Sequence, residues 1–324
     1  MGYGNLRRGG VYVIIKPRLL SVVFVCRKLS VIVISIMSES IIQWYPGHMA
    51  RSKRNLEADL ALVDMLIEVV DARIPAASRN PDLQPYLNKK CHLLLLNKAD
   101  LADPSSTQRW LAYHKRQGFV PAAINAARKQ GVKEMLAAVE RAATPLREKL
   151  ARKNRLQRPV RAMVVGVPNC GKSTVINALS YSASAKTGNK PGVTRGRQWV
   201  KTKANIELLD TPGLLWPRFA DYDTAYKLAV CGCIADNVFP VYQVACQFAE
   251  QLFRLAPQAL LDRYKLDELP DCGETMLTAV ARARGLLGIQ GKVRDEDAAL
   301  LLLQEYRAGR LGRITLEQPT KGES

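Results

Sequence analysis

The sequence predicts an α/β fold with a mainly parallel sheet, followed by an all-helical C-terminal domain. Three observations carry this. Between residues 40 and 220, apolar runs of strand length alternate with amphipathic stretches of helical period. Beyond about residue 221 only the helical period remains. One apolar run also feeds a glycine-rich loop that opens directly into a helical stretch, an arrangement whose backbone N–H groups cradle phosphate.

The elements follow in order. Residues 62–70 read as a strand closed by the turn Asp71-Ala72-Arg73-Ile74-Pro75. Residues 92–96 form a run of buried-strand type leading into Asn97. Helical spacing covers 107–117, a strand 119–124, and a helix with a charged second half 132–153. Residues 160–165 are the strand entering the glycine-rich loop, 173–179 begin the helix after it, and 206–209 are a short strand ending at Asp210. Helices follow at 241–255, 274–284 and 295–307, and no internal repeat is evident. A boundary falls at Pro217-Arg218-Phe219, giving an expected leader (1–36), an α/β domain (37–220) and a helical domain (221–324).

Composition narrows the partners. The 324 residues leave room for about two domains. Forty-eight Lys and Arg against 29 Asp and Glu give a net charge of +19, which favours a polyanion, either nucleic acid or an anionic membrane surface, over a merely solvated basic face. The seven scattered cysteines make no disulfide framework. Cys231 and Cys233 form a lone C-x-C with no second pair, so zinc is not expected and reduced thiols in a cytosol-like compartment are.

The first 38 residues hold six Lys and Arg and no acidic residue, with β-branched runs such as Val31-Ile32-Val33-Ile34. Arg27 and Lys28 interrupt the apolar stretch before it reaches the ~18 residues a membrane span needs. The favoured expectation is a non-native or disordered leader, with Met37 as the true start. An organellar presequence and a membrane-surface segment are the alternatives.

Three motifs define the chemistry. Gly166-Val167-Pro168-Asn169-Cys170-Gly171-Lys172-Ser173 is a phosphate loop with strand before and helix after. Its backbone N–H groups, with Thr174 next in line, surround phosphate; Lys172 reaches the outer phosphates and the Ser173 hydroxyl ligates Mg²⁺. Asp210-Thr211-Pro212-Gly213 would be an ordinary turn alone. Placed 37 residues past Ser173 and at a strand end, it offers Asp210 to Mg²⁺ and the Gly213 N–H to a γ-phosphate. Asn97-Lys98-Ala99-Asp100 ends a buried-type strand and supplies base identity. Asp100 can accept from guanine N1–H and the 2-amino group. Adenine offers neither donor, a difference worth ~10⁴-fold at sites of this kind. Lys98 can cover the ring and tie back to the phosphate loop. In Asn125-Ala126-Ala127, a backbone N–H can meet guanine O6. Between the loop and Asp210, Thr194 is the candidate switch threonine for Mg²⁺ in the γ-phosphate state. Leu214 stands where many GTP hydrolases carry the glutamine that orients water, so intrinsic hydrolysis should be slow.

The base reader thus precedes the phosphate loop, the reverse of the ordinary order, so the α/β part reads as a circularly permuted P-loop G domain. These motifs, with Trp44-Tyr45-Pro46-Gly47-His48-Met49-Ala50, Asp71-Ala72-Arg73-Ile74-Pro75 and Tyr306-Arg307-Ala308-Gly309-Arg310-Leu311-Gly312-Arg313, resemble the ribosome biogenesis GTPase A family from about residue 41 to 317. The resemblance implies GTP hydrolysis at a late step of large ribosomal subunit maturation, stimulated by the particle. It implies His48 as the substitute for the missing glutamine, K⁺-stimulated hydrolysis associated with Asn169, and a helical domain that contacts ribosomal RNA. A soluble cytoplasmic monomer is expected, with a membrane-associated or mitochondrial GTPase as the alternative reading.

Two basic stretches are the candidate RNA surfaces: Arg147, Lys149, Arg152, Lys153, Arg155, Arg158 and Arg161, and, on one expected helical face, Arg307, Arg310 and Arg313. Recognition by shape and phosphate is the expected mode.

Overall fold

The computed structural model describes residues 21–26, 30–35, 57–83, 86, 90–152, 159–180, 198–202, 206–210 and 221–319. The chain divides into two units, Met1–Gln43 and Trp44–Ser324. In the first, β1 (Ser21–Cys26) and β2 (Ser30–Ser35) pair antiparallel, Cys26 opposite Ser30 and Ser21 opposite Ser35. The leader is read from sequence as non-native or disordered; its described part is this hairpin, consistent with the β-branched preference for pleated structure.

The second unit is built on a six-stranded sheet of order β5-β4-β3-β6-β8-β7. Its strands are β3 (Met65–Asp71), β4 (Cys91–Asn97), β5 (Val120–Ala123), β6 (Val160–Val165), β7 (Gln198–Lys201) and β8 (Ile206–Asp210). All neighbours run parallel except the edge strand β7, antiparallel to β8. Every residue of β3 is buried, and all but Cys91 of β4. Covered on both faces, these strands read as continuous apolar runs instead of alternating ones. Glu68 is the polar exception in mid-strand; it is held by Arg79 at 3.0 Å and His92 at 3.1 Å.

The chain starts this sheet near its centre. From β3 it adds β4 and β5 on one side, then crosses back to lay β6 on the other flank of β3. That reversal opens a crevice at the carboxyl edge, the usual ligand position in an open α/β sheet. Helix α1 (Pro104–Arg116) starts with proline in its first turn and Asp103 as cap, whose carboxylate accepts from Ser106 N–H at 2.7 Å. Helix α2 (Val132–Arg152) packs on β4 and β5, and α3 (Lys172–Leu179) follows the phosphate loop.

From residue 221 onward the chain is helical: α4 (Tyr222–Val230), α5 (Val241–Leu255), α6 (Pro257–Tyr264), α7 (Gly273–Ala283) and α8 (Asp295–Arg307). Helices α5, α7 and α8 pack together, with Phe248 and Tyr306 rings 4.8 Å apart. Gly273 lets α7 approach α5 closely: a Cβ there would lie 2.2 Å from Cys246 O. The expected boundary at residues 217–219 lies outside the described residues. The last described segment returns to the loops that follow β3 and β4. Ile314 N–H donates to Leu101 O (3.1 Å), Leu316 N–H to Arg73 O (2.9 Å), and Glu317 accepts from Ala76 N–H (2.7 Å).

One sequence expectation is corrected here. Arg307, Arg310 and Arg313 do not share a helical face, because α8 ends at Arg307 and the chain then turns through Gly309 and Gly312, both at positive φ. Arg307 is committed to Asp236 and two backbone carbonyls, while Arg310 and Arg313 remain exposed. Of the other basic stretch, Arg147 pairs with Glu140, Arg161 pairs with Glu207 and lies 4.7 Å over Trp199, and residues 153–158 lie outside the described residues. Among the described residues no helix is long and apolar enough to cross a membrane.

Candidate guanine-nucleotide site

The phosphate loop leaves β6 and turns sharply into α3. Gly166 (φ +154°), Asn169 (φ +58°) and Gly171 (φ +98°) supply the left-handed backbone this requires. Two of these glycines are also forced by close approach. A Cβ at Gly166 would stand 2.3 Å from Val69 O, and one at Gly171 2.2 Å from Asn97 Nδ2. Lys172 is buried, and its Nζ donates to Val167 O at 2.8 Å, which places the ammonium inside the curl of the loop. Ser173 and Thr174 occupy the first turn of α3 and are partly exposed, where helix N–H groups and the dipole favour an anion. Pro168 has no N–H, so it shapes the loop and donates nothing to phosphate.

The base-reading segment starts at the carboxyl end of β4. Asn97, 3 % exposed, joins it to the phosphate loop: Nδ2 donates to Cys170 O at 2.8 Å and Oδ1 accepts from Ala126 N–H at 3.1 Å. One amide therefore ties together three loops that are remote in sequence. Asp100 is partly exposed, and its carboxylate has no hydrogen-bond or ion-pair partner among the described residues.

A family model described as 50S ribosome-binding GTPase matches residues 161–253. That segment opens in β6 and takes in the phosphate loop, leaving Asn97 to Asp100 upstream of it. A ribosome biogenesis GTPase A from Bacillus cereus is 41 % identical over 279 residues, covering 86 % of this chain and 94 % of the relative. This chain belongs to the ribosome biogenesis GTPase A family. It is also 34 % identical to mitochondrial ribosome-associated GTPase 1 of Bos taurus, covering 86 % and 89 %. Among solved structures, GNP-bound YlqF from T. maritima matches with TM-score 0.61 at 28 % identity, over 83 % of this chain and 98 % of that one. The circularly permuted, mostly parallel P-loop domain with a helical C-terminal region is consistent with that structure.

Within this GTPase fold, one expectation about the base reader is corrected. Lys98 (φ +60°) does not tie back to the phosphate loop; its Nζ lies 2.9 Å from Asp71 Oδ2. The tie to the loop comes from Asn97. In the Asn125-Ala126-Ala127 segment, Asn125 N–H donates to Gln130 O at 3.0 Å and Ala126 N–H to Asn97 Oδ1 at 3.1 Å. Asn125 also accepts from Arg128 N–H through Oδ1, while its buried Nδ2 has no hydrogen-bond partner among the described residues.

Asp71 and Arg73 were visible in the sequence as a motif but had no assigned task. Asp71 is fully buried and held in a fork by Arg73, with Nε at 2.9 Å and Nη2 at 2.7 Å. Burial pushes its carboxyl up, but Arg73 and Lys98 outweigh that and hold it well below the usual carboxylate range. For Lys98, burial disfavours the charge and Asp71 more than restores it. Arg73 also donates to Cys231 O at 3.2 Å and lies 5.1 Å from the Tyr306 ring centroid. An acid and a base two residues apart at the end of a buried strand were the available signal: neither charge can be buried without a partner.

Mg²⁺ fits what is described of its candidate ligands. Ser173 opens α3, and parallel pairing of Met163 with Leu209 brings Asp210, at the end of β8, to the same sheet edge as the loop. A hydroxyl and a carboxylate are the hard oxygen donors this ion takes. Thr194, Gly213, Leu214 and His48 lie outside the described residues. Cys231 and Cys233 are buried thiols in the core, and burial pushes Cys231 up to about 11. Among the described residues no cluster of three or more His, Cys, Asp or Glu is placed to hold a metal.

Proposed function

We propose that this chain is a Mg²⁺-dependent GTP hydrolase that binds the precursor of the large ribosomal subunit, assists its late maturation and is triggered by the particle. The observation that carries the reading is the joint between base reader and phosphate loop: Asn97 at the end of β4 bonded to Cys170 O at 2.8 Å. Asp100 would accept from guanine N1–H and its 2-amino group, and a backbone N–H of Asn125-Ala126-Ala127, or the unpartnered Asn125 Nδ2, would donate to guanine O6. The loop N–H groups from Asn169 to Thr174, with Lys172, would hold the phosphates. Ser173, Thr194 and Asp210 would hold Mg²⁺, which neutralises phosphate charge when bound. The Gly213 N–H would read the γ-phosphate.

Leu214 cannot orient water. His48 takes that role in this reading, reaching the γ-phosphate once RNA docks, as catalytic contacts often tighten only in the productive complex. Asn169 would meet K⁺ through Oδ1, the end of the amide not used in its present bond, Nδ2 to Gly232 O at 2.9 Å. The net charge of +19 and exposed Arg310 and Arg313 support contact with RNA phosphates. Switch movement on loss of the γ-phosphate would reorient the helical region, residues 221–324, against the G domain, residues 37–220. The names of the relatives support a ribosomal partner. We place the protein in the cytoplasm as a monomer. An organellar version is the second reading, favoured by the acid-free basic leader and the mitochondrial relatives.

The test is GTP hydrolysis with and without large ribosomal subunits, in K⁺ and in Na⁺. Stimulation by the subunit of at least about 10-fold, greater in K⁺, is expected. Normal GTP binding with no stimulation by immature or mature particles would reject the ribosomal reading.

A further inference from the structure

Helix α4 ends in a Schellman arrangement. Cys233 N–H donates to Leu228 O at 2.8 Å and Gly232 N–H to Ala229 O at 3.0 Å, with Gly232 at φ +75°. A helix end leaves its last carbonyls in need of donors and carries partial negative charge. Here four successive carbonyls find side-chain donors. Ala229 O and Val230 O accept from Arg307 Nη2 (2.8 Å) and Nε (3.0 Å). Cys231 O accepts from Arg73 Nη2 at 3.2 Å, and Gly232 O from Asn169 Nδ2 at 2.9 Å. The Arg307 fork is completed by Asp236, at 3.0 and 2.8 Å.

Two of those three donors belong to the nucleotide site. Asn169 is in the phosphate loop, and Arg73 holds Asp71, which holds Lys98 of the base reader. The third, Arg307, sits at the far end of the helical region and bonds no residue of the site. We infer that Arg307 is a positioning residue for guanine-nucleotide binding, acting through the 229–232 turn on the phosphate loop and the base reader together. This rests on the nucleotide site proposed above. Without Arg307 the turn keeps its internal Schellman bonds but loses the fork that fixes it in place. Arg73 and Asn169 then bond to a moving acceptor, and the loops they belong to are no longer pre-set. Coupling of this kind is reciprocal, so nucleotide must in turn quieten the turn.

The experiment compares Arg307→Met, which keeps the apolar stem, with Arg263→Met, by titration with a fluorescent GDP. Arg263 pairs with Glu305 at 2.6 Å and donates nothing to the turn. Arg307→Met is expected to weaken GDP by at least about 5-fold, and Arg263→Met to lower Tm while leaving the Kd for GDP unchanged. A wild-type Kd in Arg307→Met, or equal weakening by both variants at equal loss of Tm, overturns the inference. Amide exchange on the wild-type chain gives a readout independent of folding of the variants. GDP should slow exchange at Gly232 and Cys233 and leave Leu277 to Val280 of α7 unchanged; no slowing at the turn overturns the inference as well. Wild-type protein that binds no GDP rejects the nucleotide-site reading itself, and this inference with it.

Discussion

Replacing Asn97 by alanine tests the joint on which the site is built. The side chain is buried, and both of its polar ends are used, Nδ2 on Cys170 O at 2.8 Å and Oδ1 on Ala126 N–H at 3.1 Å. Truncation leaves a buried acceptor and a buried donor without partners, at about 1–3 kcal/mol each, so a total loss of about 2–6 kcal/mol in stability. Water entering from the loop side brings the value toward the lower end. The nucleotide effect is separate. Asn97 sets the position of the phosphate loop relative to Asp100, so GDP affinity should fall by at least about 10-fold through lost pre-organisation. Urea unfolding gives the first quantity and fluorescent GDP titration the second. Stability within about 1 kcal/mol of wild type together with wild-type GDP affinity would refute the reasoning, since neither orphaned group would then have been costly.

Other outcomes follow from the same geometry. Asp100→Asn replaces one acceptor by a donor that faces the guanine 2-amino group; GTP binding should weaken by about 10²-fold or more and xanthosine triphosphate, with a carbonyl there, should gain, as competition titrations would reveal. His114 is buried beside Trp110, and burial, aided by Arg79 and His92 and opposed by Glu68, brings it down to about 4. A histidine depressed in the fold contributes stability that is present above its unfolded value of about 6.5 and is lost as pH falls toward 4. The loss between pH 7 and 5 is about 2 kcal/mol, and His114→Phe should lose less by that amount in paired urea titrations. Glu305 accepts from Arg263 at 2.6 and 3.0 Å and from Tyr264 at 2.9 Å while 2 % exposed. Glu305→Ala should cost about 2–4 kcal/mol, moderated because half-buried Arg263 can turn to water, with GDP affinity held at the wild-type value.

Much of the sheet was legible because β3, β4 and β6 are buried on both faces and therefore appear as unbroken apolar runs. The phosphate loop was legible because its glycines answer to local backbone geometry. Beyond the leader hairpin, three elements were not. β7 is four residues on a sheet edge, α4 is nine residues and α6 eight, too short for a periodic signal to separate from loop. The strand expected at 62–70 begins at Met65, because Leu62 and Val63 belong to the turn before it and extend the apolar run beyond the strand. The face expected for Arg307, Arg310 and Arg313 failed where the helix stopped, at a glycine-containing C-terminus.

By itself the sequence determined the order of the motifs, and with it the permutation, the phosphate chemistry and the preference for guanine. Those depend on residue type and on neighbours a few positions away. Only the tertiary structure decided what Asn97, Lys98, Ala126, Asn169 and Arg307 actually bond. Their partners lie far along the chain, as with Asn169 and Gly232, or Arg73 and Cys231. A hydrogen bond forms only where packing delivers donor and acceptor to within about 3 Å of each other. No local pattern encodes which distant carbonyl will arrive.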